Sequence, residues 1–124
     1  MGTNDVYREL ASFETSLRST VRTVIDAGAV PILFTKADDL NQDDRFNRAI
    51  VQIAAEFEAP LVNLWKVFRL LPNHGLRGDN AHPSAGSPRF CDFVSDELRA
   101  YGWPVRNLTA LAALDLTTRL LNQR

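Results

Sequence analysis

The sequence predicts an α/β fold, the later part of a doubly wound parallel sheet, and three observations carry that expectation. Two short apolar runs, AVPILFT at 29–35 and LVNLW at 61–65, are bounded by glycine, proline or polar residues, as buried parallel strands are. Before each run, apolar residues recur every three or four positions, the period of an amphipathic helix. The stretch Gly2-Thr3-Asn4-Asp5 is the kind of small polar cluster that follows a buried strand and opens a helix.

Taken in order, Asn4 or Asp5 caps the first helix, with Glu9 in its first turn. Leu10, Phe13, Leu17, Val21, Val24 and Ile25 form its apolar face, and Ala27-Gly28 ends it. The first strand, 29–35, follows. Asp43 or Asp44 caps a second helix lined by Phe46, Ile50, Ile53, Ala54 and Phe57, which Pro60 breaks. The second strand, 61–65, leads to a short helical turn at 67–71 and then to a long irregular loop that holds both histidines, His74 and His82. Ser87-Pro88 starts another helix with Phe90, Phe93, Val94 and Leu98 on its apolar face, and YGWP at 101–104 stops it. A last helix runs from about 106 to 121, with Leu108, Leu111, Ala112, Leu116 and Leu120 facing inward. A parallel pair of strands has two open edges, so the pattern reads as part of a larger sheet whose unpaired edge invites self-association.

Composition narrows the function. At 124 residues the chain makes one domain, and 45% hydrophobic residues supply a core, which excludes a disordered chain. A net charge of -1 argues against a nucleic-acid binder, which needs clustered Lys and Arg for phosphate contacts. No apolar run reaches the roughly 18 residues of a membrane span. Cys91 is the single cysteine, so no internal disulfide forms.

The residues with most chemistry lie in GDNAHPS. Asp79 and His82 are three apart on a loop between the last strand and a capped helix. That spacing lets the carboxylate fix the imidazole tautomer and leave its other nitrogen free to take a proton. An asparagine amide at the mouth of a parallel sheet, as Asn4 would be, is a hydrogen-bond donor for an oxyanion. Other clusters carry less. His74, His82 and Asp79 lack a further strong ligand at metal-binding spacing, and the aspartates at 38–44 lack the glycine and closing glutamate of a calcium loop. Trp65 and Trp103 read as packing residues.

Together, Gly2-Thr3-Asn4-Asp5 and Asp79-Asn80-Ala81-His82-Pro83 resemble the third and fifth sequence blocks, G-x-N-D and D-x-x-H, of the SGNH (GDSL-type) hydrolases. The resemblance covers residues 1–101; residues 102–124 form a C-terminal helical extension. It implies a flavodoxin-like three-layer α/β/α parallel sheet, truncated here before its fourth strand. It also implies a serine esterase or acyl hydrolase without metal or cofactor, acting on a small-molecule ester or an acylated carbohydrate. His82 would be the general base, Asp79 its orienting carboxylate and Asn4 an oxyanion-hole donor. The family's serine and glycine blocks would precede Gly2, so the expectation is a C-terminal portion, inactive alone. Ser12, Ser16 and Ser19 sit along a helix, and neither Ser84 nor Ser87 has the flanking glycines of a strained nucleophile turn. The alternative is a non-catalytic α/β binding or interaction module.

Overall fold

The computed structural model describes residues 9–38, 40, 44–86 and 91–123, with nothing to be said of the side chain at 97. Helix α1 (Leu10–Asp26) leads to strand β1 (Leu33–Phe34), helix α2 (Arg45–Glu56) and strand β2 (Leu61–Val62). Helix α3 (Leu64–Phe68), a 3-10 turn (Pro72–Gly75), and helices α4 (Asp96–Arg99) and α5 (Gly102–Leu121) complete it. The strands pair in parallel, Leu33 beside Leu61 and Phe34 beside Val62. The chain is thus a mixed α/β protein around a small two-stranded parallel sheet.

Successive strand residues face opposite ways, and β1 uses this to serve two cores. Leu33 packs with Phe13 and Val21 of α1 and Phe46, Ala49, Ile50 and Ile53 of α2. The Phe13 and Phe46 rings meet edge to face at 5.0 Å. Phe34 packs on the other side, against Leu64, Phe68 and Leu76. Helices therefore cover both faces of the sheet.

Several boundaries differ from the sequence reading. The first helix begins at Leu10 with Glu9 as its N-cap, not at Asn4 or Asp5. Asp44 does hold the N-cap position of α2, but in a left-handed conformation and with no side-chain capping bond. Of LVNLW, Leu61 and Val62 alone are strand. The Asn63 side chain accepts the Lys66 amide at 2.9 Å and starts α3 there, which takes Leu64 and Trp65 into the helix. In the helix expected from Ser87-Pro88, residues 87–90 lie outside the described residues. Among the rest, Asp92 Oδ1 accepts the amides of Val94 (3.1 Å) and Ser95 (3.3 Å). That local turn competes with helix, which forms over Asp96–Arg99 alone. Leu98 is buried as expected, but Val94 is 85% exposed.

YGWP begins α5 instead of stopping the helix before it. Ser84 explains the change: its Oγ accepts the Gly102 amide at 3.0 Å and its carbonyl accepts the Trp103 amide at 3.0 Å. Pro104 has no amide to satisfy, and Val105 bonds back to Tyr101. The donors of the first turn are thus accounted for. Beyond that turn the inward-facing expectation fails. Leu108, Leu111, Ala112, Leu116 and Leu120 are exposed, because α5 is anchored by its buried first turn, Gly102 and Pro104. No helix among the described residues is long and apolar enough to cross a membrane.

Candidate functional site

The C-terminal end of a parallel sheet is where open α/β folds bind ligands, and here that end is densely bonded. Thr35, just past β1, is buried; its hydroxyl accepts the Trp65 amide at 3.0 Å and meets Asn63 Oδ1 at 3.4 Å. The Lys36 backbone exchanges two bonds with the Asn47 side chain of α2, at 2.7 and 3.1 Å. Over this end folds the loop from the 3-10 turn to Ser84. Leu76 and Pro83 form an antiparallel bridge, and the Arg77 amide donates to the His82 carbonyl at 2.8 Å. Ser84 fastens the loop to Gly75 on one side and to α5 on the other.

Gly75 and Gly102 let those pieces touch backbone to backbone. Gly75 has φ +61, and a Cβ on Gly102 would lie 2.0 Å from the Gly75 carbonyl oxygen. Only glycine fits such an approach.

Within the loop, Asp79 Oδ1 accepts the amides of Ala81 and His82, each at 3.0 Å, and Oδ2 accepts His82 Nδ1–H at 2.8 Å. The His82 amide foremost, then the Ala81 amide and the ring, hold the Asp79 carboxyl well below the usual carboxylate range. An ionised carboxylate only accepts, so Nδ1 carries the proton and Nε2 is left as the basic nitrogen. Among the described residues Nε2 has no partner. The ring is 59% exposed in its side chain and borders a cavity of about 300 Å3 with Thr35, Lys36, Leu64, Trp103 and Arg106. This arrangement can accept a proton from a group in that cavity and stabilise the imidazolium that results.

Asp79 and His82 are therefore brought together as their spacing implies. Asn4, with Gly2, Thr3 and Asp5, lies outside the described residues. His74 takes no part: Arg69, stacked 4.4 Å from the Trp65 ring, donates to its Nδ1. No cluster of three potential metal ligands occurs among the described residues. Cys91 lies exposed in a turn instead of in a helix.

Two cationic residues also line the cavity: Lys36, which the sequence did not mark, and Arg106, which reads in the sequence as a residue fastening the last helix to the body. Lys36 is nine-tenths buried, with Nζ 3.6 Å from Asp38 Oδ2 and 5.0 Å from the Phe46 ring centre. Its position directly after a parallel strand was the available signal. No protein-family model, no curated protein and no solved structure matches this chain.

Proposed function

We propose that the loop around Asp79 and His82 supplies the general base and its orienting carboxylate to a serine-dependent acyl hydrolase of the SGNH type. One observation carries the reading. Asp79 holds His82 by Nδ1 at 2.8 Å while Nε2, without a partner among the described residues, lies beside a cavity at the C-terminal end of the parallel strands. In the reaction, Nε2 takes the proton of a serine hydroxyl as its oxygen attacks the acyl carbon. The imidazolium then returns that proton to the leaving alkoxide, and water repeats the cycle to release the acid. Asn4 donates to the oxyanion in this scheme, a contribution of about 3 kcal/mol to the barrier. The substrate class is a small-molecule ester or an acylated carbohydrate.

The nucleophile belongs to a Gly-Asp-Ser block that these 124 residues do not contain. Ser84 is close in sequence to His82, but its oxygen is held by the Gly102 amide. That engagement favours, as the second reading, a binding module in which the dyad only shapes the loop. The nucleotides upstream of the Met1 codon separate the two. An open frame encoding an apolar strand followed by Gly-Asp-Ser supports the enzyme. The longer chain should then hydrolyse p-nitrophenyl acetate and lose at least about a thousandfold in kcat/KM on His82→Ala. An in-frame stop just before Met1 overturns the enzymatic reading. Turnover by the 124-residue chain that vanishes in both His82→Ala and Ser84→Ala would overturn the external nucleophile.

A further inference from the structure

A second cavity, of about 460 Å3, is walled by α2 and by the residues that follow β1 and β2. It takes no lining from α1, α5 or the free edge of β1, so strands added beside β1 in a larger sheet would leave it in place. From α2, Arg48 is followed at three and four positions by Val51 and Gln52, and the three share one exposed stripe of the helix. The end of β2 supplies Asn63 and Trp65.

The fold fixes several of these groups in advance. Asn63 Oδ1 accepts the Lys66 amide at 2.9 Å, which sets the plane of the side-chain amide and leaves both Nδ2 hydrogens unused among the described residues. Asn47, also in the lining, is held by two bonds to the Lys36 backbone and keeps one Nδ2 hydrogen. The Trp65 amide donates to the Thr35 hydroxyl at 3.0 Å, and the Arg69 guanidinium covers one side of its ring at 4.4 Å. Arg69 does not line the cavity; the rest of the indole does. The side chains of Asp44, Arg48 and Gln52 make no hydrogen bond among the described residues.

Aromatic surface beside unengaged donors and acceptors of both kinds matches a neutral, polyhydroxylated ring. The C–H face of such a ring packs on an indole, and each hydroxyl both donates and accepts. A purely apolar ligand would strand the amides without partners. An anion fits less well, because Asp44 lines the same cavity and Arg48 is the one cation among the described lining residues.

We propose that this cavity is a carbohydrate-binding site, taking a neutral pyranose unit packed on Trp65 and hydrogen-bonded by Asn63 Nδ2, Arg48 and Gln52. The acyl-hydrolase reading places no ligand here, and the site does not rest on that reading. A chain without esterase activity should still bind, and His82→Ala should leave binding unchanged.

The test is an NMR titration of the full chain with cellotetraose, xylotetraose and triacetylchitotriose, with sorbitol and inorganic phosphate as comparisons. At least one oligosaccharide should bind with a Kd of about 1 mM or tighter. Binding should shift the Trp65 indole N–H and the Asn63 side-chain amide and leave the Trp103 indole in place. Sorbitol carries the hydroxyls without the ring and should shift neither. Arg48→Ala and Gln52→Ala should each weaken binding by about fivefold or more, the worth of one hydrogen bond. Both side chains are exposed and unbonded among the described residues, so the fold survives their loss. The proposal is overturned if none of the three oligosaccharides shifts Trp65 and Asn63, if sorbitol shifts them equally, or if both variants bind as the parent does. Binding of phosphate without binding of sugar also overturns it and makes the cavity an anion site. The titration of the parent chain needs no variant, so it decides the matter even if a substitution disturbs α2.

Discussion

Asp79 accepts three hydrogen bonds, and each favours its charged form. A carboxyl held below its unfolded value contributes stability that is complete above about pH 4 and is lost only as pH falls through the lower folded value. The loop should therefore keep its order in mild acid. A carbon-detected NMR titration should show no inflection for the Asp79 carboxyl across the ordinary aspartate range of about pH 3–5; an inflection near 4 would remove the three-bond cradle. Gly102 makes the opposite kind of demand, for absence. With backbone 2.0 Å from its would-be Cβ, Gly102→Ala should cost more than about 2 kcal/mol in chemical denaturation. The two residues also mark what the sequence could disclose. Asp79 and His82 are neighbours along the chain, so their pairing was legible. The fit of Gly102 against Gly75, and the grip of Ser84 on α5 across 18 residues, exist only once the chain has folded back on itself.

At the scale of elements, α1 and α2 end in the same way with different residues. After α1, the Gly28 amide bonds to Ile25 (2.8 Å) and the Ala29 amide to Val24 (3.1 Å), with Gly28 at φ +77. After α2, Glu58 and Ala59 bond back to Ala55 (3.2 Å) and Ala54 (2.8 Å), with Glu58 at φ 51. Both are Schellman ends, but a side chain in the left-handed region costs about 1 kcal/mol that glycine avoids. Glu58→Gly should thus stabilise the protein by about 0.5–1 kcal/mol, and Gly28→Ala should destabilise it by a similar amount, both read from urea midpoints. Equal and same-signed effects would contradict the shared geometry. Helix ends marked by glycine were legible for this reason; Ala27-Gly28 is where α1 stops. The start of α5 was not, because its cap comes from Ser84 and its own Tyr101 contributes no side-chain bond. Ser84→Ala should cost about 1 kcal/mol and broaden the His82 ring signals, since the same serine fixes the loop that carries the imidazole.

For the whole molecule, the core of α1, β1 and α2 was legible from periodicity; the core of Leu64, Phe68 and Leu76, built from a short helix and a loop, and the distribution of α5 were not. Leucine every few residues predicts a buried face, but burial needs a neighbour. Past its first turns α5 carries Leu111, Leu114, Leu116, Leu120 and Leu121 about half exposed. Its charged pair, Asp115 and Arg119 at 2.9 Å, is spent internally. Exposed apolar surface of this kind drives association. Self-association through this surface should therefore be separable from association through the edge of β1. Sedimentation velocity should show mass rising with concentration in the micromolar range. Leu114 and Leu121 are seven apart and share one stripe of the helix. Leu114→Lys with Leu121→Lys should weaken association at least tenfold and leave thermal unfolding of the monomer unchanged, because neither side chain belongs to a core cluster. Association undiminished in that variant would transfer the contact to the edge of β1.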